Sequence, residues 1–588
     1  MGLMIKYMSP YKKRITGTLL LKFFAVVFEL LIPYILEYMI DVAAPAKNIQ
    51  IVLLMGAAMI VLAFLARQFN IWGNRVATAT ARDATRNIRQ DLFRKTIYLK
   101  SESFDSVSLP SLISEMTSDS YNVQSFLGMI QRLGVRSPIM LIGATTVALS
   151  LDVVLALVLI CMVPILTLTV IYITKKGIPL FRQVQKKLDQ IVRIMRENIS
   201  GIRVVKGLSR EEYVIKRFEC ASEELTKADI HAGMIMAIPS SLITLFLNVG
   251  LAIVVLIGAY RVNQGNMEVG VILAFLTYFN MITFAVMGIR RVFMIYSKAG
   301  ASADRIASVL ALSDESNRYK LEFREGNNET CEDNTQKDDM PALVFDNVSF
   351  NYGVNDSGFS VNDISFEIDR GESLGIIGST GSGKTTILSL IMAFYEAEKG
   401  SILMDGTNIR DMSLDEVRKN VGIVLQNDTI FNDTIADNIR FGRDISMEEI
   451  KRAAKTAMID SYIESLPEGY EYMADIKGMN LSGGQRQRIL IARALASNPK
   501  YLILDDASSA LDYATDAKLR KNLSANYPDC CRIVVAGRVS SVKNMTKIIV
   551  MEEGNMIGYG THDELMKTCD VYKEIAYSQM GIGKGGTV

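Results

Sequence analysis

Histidine is almost missing from this chain: 588 residues contain only His231 and His562. That scarcity excludes any catalytic or metal centre assembled from several imidazoles. Cysteine offers no alternative. Its six residues (Cys161, Cys220, Cys331, Cys530, Cys531, Cys569) fall into no metal-ligand spacing. Scattered as they are, they read as reduced thiols in a cytosol-facing protein. Net charge is lacking too: 64 Lys and Arg stand against 63 Asp and Glu. No global field therefore draws the chain to nucleic acid. Hydrophobicity is what the chain has in excess, at 49% of residues and a mean hydropathy of +0.21. At this length one core is excluded and two or three domains are expected.

Met1 to Arg14 is short, amphipathic and basic at its end, without the small-residue cleavage site of a signal peptide. An apolar stretch follows at once, so the segment reads as an interfacial helix on the cytoplasmic face. Runs of about 20 apolar residues, enough to span a bilayer, then lie near 15–41, 51–73, 134–152, 153–174, 236–260 and 270–296. The connections near 42–50, 151–153 and 261–269 are short and poor in cations. Those at 74–133 and 175–235 are long, helical in pattern and cation-rich, with Arg75, Arg82 and Arg86 in the first and Lys175, Lys176 and Arg182 in the second. Both long connections are expected on the cytoplasmic side. Glu29 and Glu37 flank Pro33 in the first span. A carboxylate at the bilayer centre costs about 2.5–3.5 kcal/mol or more, so Glu29 should face protein or a wet cavity. It is either a packing residue with a hydrogen-bonded partner or a ligand in a substrate cavity for a cationic compound.

The transmembrane domain is expected to occupy 1–312, and a polar linker rich in Asp, Asn and Glu follows at 313–341. From 342 to 580, short apolar runs alternate with helical patterns, the rhythm of an α/β domain. A glycine-rich tail closes the chain at 581–588 and reads as loose. Within the α/β region stands Gly378-Ser379-Thr380-Gly381-Ser382-Gly383-Lys384-Thr385, followed by Thr386. The apolar run Leu374–Ile377 leads into it, and Ile387, Leu388, Leu390 and Ile391 continue at helical spacing. This strand–loop–helix setting is where the pattern G-x-x-x-x-G-K-[ST] cradles phosphate. Glycines turn backbone N–H groups inward and the helix N-terminus adds its dipole. Lys384 would reach the β- and γ-phosphates, and Thr385 would ligate Mg²⁺. Binding of ATP or GTP is expected.

Further motifs narrow the choice. Leu481-Ser482-Gly483-Gly484-Gln485 lies about a hundred residues downstream. The run Leu502-Ile503-Leu504 ends in Asp505, a carboxylate suited to hold Mg²⁺. With these motifs the chain resembles a half-transporter of the ABC exporter family over nearly its whole length. The resemblance implies a six-helix α transmembrane domain with long cytoplasmic helical extensions, then an α/β P-loop ATPase domain. It also implies ATP and Mg²⁺, and a short transverse helix closing each long extension. Ile202 to Tyr213 resembles the second of those turns. It makes Tyr352 the adenine platform, Gln426 the Q-loop residue beside the metal, and Ser509-Ala510-Leu511-Asp512 the D-loop. In this family each ATP lies between the P-loop of one subunit and the signature of the other. Ser482, Gly483 and Gly484 would then clasp a γ-phosphate held by a partner.

Two positions depart from the family pattern. Asp506 stands where a catalytic Glu follows the Mg²⁺ carboxylate, and Gly537 stands where a switch His contacts the γ-phosphate. Beside an intact signature, this resembles one subunit of the heterodimeric bacterial multidrug exporters, whose partner supplies the Glu and His. Ile476-Lys477 replaces the usual Glu-Arg before the signature. The expected activity is export of an amphipathic or hydrophobic compound (drug-like, lipid or peptide) from the cytoplasm across a bacterial cytoplasmic membrane. An importer on the same fold, of siderophore type, and a nucleotide-gated regulator or channel are the alternatives. With no peptidase domain before the first span, the peptidase-fused exporters are not expected.

Overall fold

The computed structural model describes residues 2–319, 340–353, 360–507 and 510–580. Most of the expected linker, Ser509 and the expected tail lie outside the described residues. Two units emerge: Met1–Thr96 with Leu109–Ala311, and Ile97–Ser108 with Leu312–Val588.

The first unit is helical throughout. Its long helices are Lys12–Tyr38, Ile49–Ile97, Val135–Leu151, Val153–Ser200, Glu211–Asn263 and Val269–Ala311. Five described segments are long and apolar enough to cross a membrane: Gly2–Ala43, Ile49–Ile97, Leu109–Leu151, Thr244–Asn263 and Val269–Ala311. The expected span at 153–174 lies within helix Val153–Ser200, which is apolar over Val153–Met162. At ~1.5 Å per residue, the helices of 49, 48 and 53 residues reach about 70–80 Å, more than twice a bilayer core. They must therefore carry the chain well outside the membrane.

The three short connections are tied to one another by charge. Asp152 caps Val153–Ser200, accepting N–H bonds from Val154 and Leu155 at 2.9 Å, and pairs with Arg261 at 3.1 Å. Asp41 accepts the Gly270 N–H at 2.6 Å. These bonds bring all three connections to one face of the unit, so the long cation-rich connections leave from the other. The core between them buries Val26, Ala144, Leu155, Phe275 and Tyr278. At the N-terminus, helix Gly2–Met8 buries Met4 and Tyr7, and the Tyr7 hydroxyl donates to Asp91 at 2.5 Å.

The second unit holds two sheets. Strands β1 (Leu343–Phe350), β2 (Val361–Ile368), β4 (Lys399–Met404) and β5 (Thr407–Asn408) form an antiparallel sheet in the order β2-β1-β4-β5. Strands β3 (Ser373–Gly378), β6 (Val421–Val424), β7 (Tyr501–Asp505), β8 (Cys531–Val535), β9 (Lys547–Glu552) and β10 (Asn555–Gly560) form the other, in the order β10-β9-β3-β8-β7-β6. All of its pairings are parallel except β10 with β9. Strands β3 and β7 are buried along almost their whole length, as expected where helices cover both faces.

Residues 97–108 belong to the second unit, although hydropathy places them within 1–312. The Glu315 N–H donates to the Tyr98 carbonyl at 2.7 Å, and the Ser103 and Ser313 hydroxyls lie 2.9 Å apart. Helix Ser101–Ser106 carries Asp105, which accepts from the Tyr395 hydroxyl. Hydropathy marks spans; membership of a packed unit depends on contacts between residues hundreds of positions apart.

Candidate functional site

Parallel strands end on a common edge, about 4.8 Å from neighbour to neighbour. In the order β3-β8-β7-β6, that edge collects four consecutive loops. The P-loop follows β3, Gly537 follows β8, Asp505 ends β7 with Asp506 next, and Gln426 follows β6. The register pairs Ile376 with Val535, Asp505 with Val535, and Val424 with Leu504. The carboxyl edge of a parallel sheet is where such folds bind ligands.

The P-loop closes tightly on itself. A Cβ on Gly378 would lie 2.2 Å from the Met551 carbonyl oxygen, so no larger residue fits. Gly383 has φ +98° and a Cβ there would lie 2.7 Å from Val361, so the turn into helix Lys384–Ile391 requires glycine. Lys384 folds over its own loop, with Nζ 2.9 Å from the Gly378 carbonyl and 2.5 Å from that of Ser379. Burial holds its ammonium below the usual lysine range, against the pull of Asp505 and Asp506. Thr385 hydrogen-bonds Asp505. Burial first, then repulsion from Asp506, pushes the Asp505 carboxyl above its usual range. A buried carboxylate beside a second one and a threonine hydroxyl is an acidic oxygen pocket that a divalent cation would relieve. These residues fit Mg²⁺.

Asp506 sits in the left-handed region at φ +51°, and its N–H donates to the Val535 carbonyl at 2.9 Å. Aspartate tolerates that conformation better than most residues. Gly537 is exposed, has no left-handed φ, and a Cβ on it would meet nothing within 4 Å. Neither sterics nor backbone requires glycine there. Its carbonyl accepts from Gln579 at 2.8 Å. His562 is not a substitute: it starts helix His562–Thr568 behind the Thr561 cap and lies 2.8 Å from the Tyr572 hydroxyl.

Tyr352 is 40% exposed and edge-on to Phe350 and Tyr395, with centroids 4.9 and 5.0 Å away. Its hydroxyl is 3.3 Å from that of Thr386, which ties an open ring face to the P-loop helix. Gln426 is exposed two residues beyond β6.

The signature is a separate construction. Leu481 is buried among Ile430, Ile489 and Leu490, anchoring the start of helix Gly483–Leu495. Ser482 caps that helix with a reciprocal box. Its hydroxyl accepts the Gln485 N–H at 3.3 Å, and the Gln485 side chain accepts the Ser482 N–H at 2.7 Å. Ser482 and Gly483 are exposed, while a Cβ on Gly484 would approach the Ala510 carbonyl at 3.3 Å. Among the described residues, the signature's hydrogen bonds are local: the Leu481 N–H donates to the Gly478 carbonyl at 3.0 Å, and Ser482 and Gln485 bond each other; farther along the helix, Arg488 reaches the Met458 carbonyl at 2.6 Å. None goes to this chain's P-loop. Leu511 is buried and Asp512 caps helix Tyr513–Asn526, accepting from the Thr515 N–H and hydroxyl at 2.9 and 2.7 Å.

Two further placements bear on the sequence expectations. Both oxygens of Glu29 accept from Arg136 Nη2, at 2.8 and 2.7 Å, so the carboxylate has a cationic partner within the protein. Cys530 and Cys531 are buried free thiols, pushed by burial up to about 11 and about 12, which keeps them protonated and inert. Sequence reasoning missed the Tyr395–Asp105 bond. The aromatic doublet Phe394-Tyr395 just past the P-loop helix was the available signal, but its partner is 290 residues away.

A profile described as the ABC transporter transmembrane region matches residues 15–286, and one described as ABC transporter matches 361–509. The chain is 32% identical over 579 residues to YfiB of Bacillus subtilis (strain 168), an uncharacterized ABC transporter ATP-binding protein, covering 98% of each. It is 31% identical over 592 residues to YgaD of the same organism, provisionally named a multidrug export ATP-binding/permease protein, covering 98% of this chain and 99% of that one. The structure of a bacterial Atm1-family ABC exporter with ATP bound matches it with a TM-score of 0.77, over 98% of this chain and 99% of the other. At 24% identity, that likeness is one of fold.

Proposed function

The chain belongs to the ABC transporter family, and from that premise we propose that it is one half of a heterodimeric bacterial exporter of amphipathic or hydrophobic compounds. The observation that carries this reading is a contrast within one ATPase unit. The signature helix presents an intact, capped, exposed N-terminus, while the P-loop edge bears Asp506 and Gly537. A homodimer would repeat both departures in both sites. A partner with Glu and His would complete one strong site, using the Ser482 signature of this chain.

In the site built on this chain's own P-loop, the loop N–H groups and Lys384 hold the phosphates and Tyr352 offers its ring to adenine. Thr385 and Asp505 would hold Mg²⁺, which would neutralise charge on the β- and γ-phosphates, with Gln426 close by. Asp506 is one methylene shorter than the usual Glu, and a misplacement of about 1 Å can cost on the order of 100-fold. Gly537 brings no side chain to the γ-phosphate. This site holds ATP and turns it over slowly. In the partner's site, Ser482, Gly483 and Gly484 donate to a γ-phosphate whose attacking water the partner orients. Exposed Ile202, Val204 and Leu208, on and just past the short helix Ile202–Gly207, support docking of that helix on a second chain. The name of YgaD supports drug-like substrates.

The test is ATP turnover by the purified chain alone and with a co-expressed half-transporter that carries Glu and His. Turnover confined to the pair supports the proposal. Robust turnover by the single chain, abolished by Lys384→Ala, sinks it. Vesicle transport by the pair scores direction: ATP-driven movement toward the cytoplasmic face would mean an importer, and no net movement a regulator or channel.

A further inference from the structure

Strand β8 is an interior strand of the parallel sheet, with β3 on one side and β7 on the other. Such a strand is covered on both faces, so apolar residues are expected all along it. Arg532 breaks that pattern. Cys531, Ile533 and Val535 on one face are buried, while Arg532 and Val534 on the other are only half-buried. Both line a cavity of about 220 Å³ that lies wholly within the second unit. The register sets Leu504 of β7 beside Val534, and Ser373 of β3 beside Arg532. These residues form one wall. Helix Tyr513–Asn526 adds Arg520, Leu523 and Ser524, at the i, i+3, i+4 spacing of one face, with exposed Lys521 beside them. Asn544 and Met545, just past helix Val539–Val542, complete the lining.

The lining carries three cations and no carboxylate. Arg520 is answered by Asp516 on its own helix, and it also donates to the Ser540 and Ser541 carbonyls at 3.1 and 3.0 Å. Arg532 is not answered. Its Nη1 donates to the Ser524 hydroxyl and its Nη2 to the Gly371 carbonyl at 3.2 Å, both neutral acceptors. Glu372 accepts the Arg532 N–H on its carbonyl at 3.0 Å, but its carboxylate pairs with Lys547 at 3.8 Å. Neither Arg532 nor Lys521 has an ion-pair partner among the described residues.

Arginine seldom enters a protein interior without a paired charge, and its planar fork matches the oxygens of a carboxylate or phosphate. Leu504, Leu523, Val534 and Met545 give the same hole an apolar surface that a bare inorganic ion would leave unused. At about 220 Å³ the cavity is smaller than drug-sized pockets, which start at ~300 Å³, so a small molecule suits it. The site is separate from the nucleotide. Ser373 opens β3, whereas the P-loop follows that strand's other end.

We propose that this cavity binds a small organic anion, a carboxylate or a phosphate monoester carried on a short apolar group. The Arg532 guanidinium and the Lys521 ammonium take the anionic oxygens, and the apolar group lies against Leu504 and Val534.

The purified full chain, in phosphatidylcholine nanodiscs, is titrated calorimetrically with benzoate, phenyl phosphate, benzyl alcohol, benzylammonium and inorganic phosphate. A non-hydrolysable ATP analogue with Mg²⁺ keeps the P-loop filled, and protein-free nanodiscs correct for partition into lipid. At least one of the two aromatic anions should bind about tenfold tighter than the alcohol and the ammonium, as charge-assisted bonds require. Which of the two binds tighter assigns the head group as carboxylate or phosphate. Lys521→Gln should weaken that anion about threefold and Lys521→Glu about tenfold, the scale of partly exposed ion pairs. Arg532→Gln should weaken it about tenfold or more. Lys521 is exposed, so its two variants serve even where Arg532→Gln fails to fold. Four results overturn the proposal: no binding of either anion, equal binding of the alcohol or ammonium, inorganic phosphate as tight as the better anion, or unchanged binding in both Lys521 variants. Binding is read without turnover or a partner, so the outcome is independent of whether the heterodimer assignment holds.

Discussion

At the N-terminus of helix Gly483–Leu495 every local rule agrees, whereas along the carboxyl edge of the parallel sheet the residues that hold phosphate and those that act on water part company. The helix start has a buried anchor in Leu481, a reciprocal cap between Ser482 and Gln485, and two glycines that let a phosphate approach. The sheet edge keeps Lys384, Thr385 and Asp505 in place, yet its next two positions are a short carboxylate and a glycine with open space around it. Positioning phosphate depends on backbone N–H groups and tight glycine contacts, and at Gly378 any Cβ would collide with the Met551 carbonyl. Acting on water depends on single side-chain tips, which are lost without harm to the fold. A chain can therefore remain a good ATP holder and a full signature donor while its own site loses turnover.

The largest effect should come from the intact region. Ser482→Arg places a cation and a long side chain where a partner's γ-phosphate would bind, and should lower turnover of the assembled pair by about 10²–10³. Asp506→Asn, measured beside it, should change turnover by less than about threefold. If Asp506→Asn is the more damaging of the two, the assignment of strong and weak sites is reversed.

Repair is the next largest. Asp506→Glu with Gly537→His should raise ATP turnover by the single chain by about 100-fold. A Cβ at Gly537 would meet nothing within 4 Å, and the backbone there has no left-handed φ, so a side chain can start from this position without strain. No gain from the double variant, with ATP binding intact, would place the defect elsewhere.

A smaller effect separates ring from hydroxyl at the adenine platform. Tyr352→Ala should weaken ATP binding by about 1–2 kcal/mol, while Tyr352→Phe, which loses only the bond to Thr386, should cost less than about 0.5 kcal/mol. Equal losses in a nucleotide titration would assign the role to the hydroxyl. Outside the site, Tyr395→Phe removes the bond to Asp105 and should lower stability by about 1 kcal/mol. Thermal unfolding of the full chain reads it, and no shift in Tm would mean that residues 97–108 are held by other contacts.

Much of the site was legible because its information is local. The P-loop, the signature and the Asp505 strand end are short stretches whose chemistry follows from residue type and spacing. The reciprocal box between Thr561 and Glu564 that starts helix His562–Thr568 is likewise a local construction. The Glu29 partner was not legible, since Arg136 lies 107 residues away on another helix. Nor was the membership of residues 97–108, which depends on Asp105 meeting Tyr395 and Tyr98 meeting Glu315.

By itself, the sequence determined that this chain is a membrane-embedded helical region joined to a P-loop ATPase, because spans and motifs are written in hydropathy and spacing over a few turns of chain. It also holds Asp506 and Gly537 at the two positions where it differs from the family pattern it resembles. Tertiary structure alone decided which strands stand side by side, so that Asp506 acts on Lys384 and Gly537 lies one strand from Asp505. It alone decided that Glu29 pairs with Arg136. The physical reason is the same in each case: a charge acts through distance and burial, and both are properties of neighbours that only folding brings together.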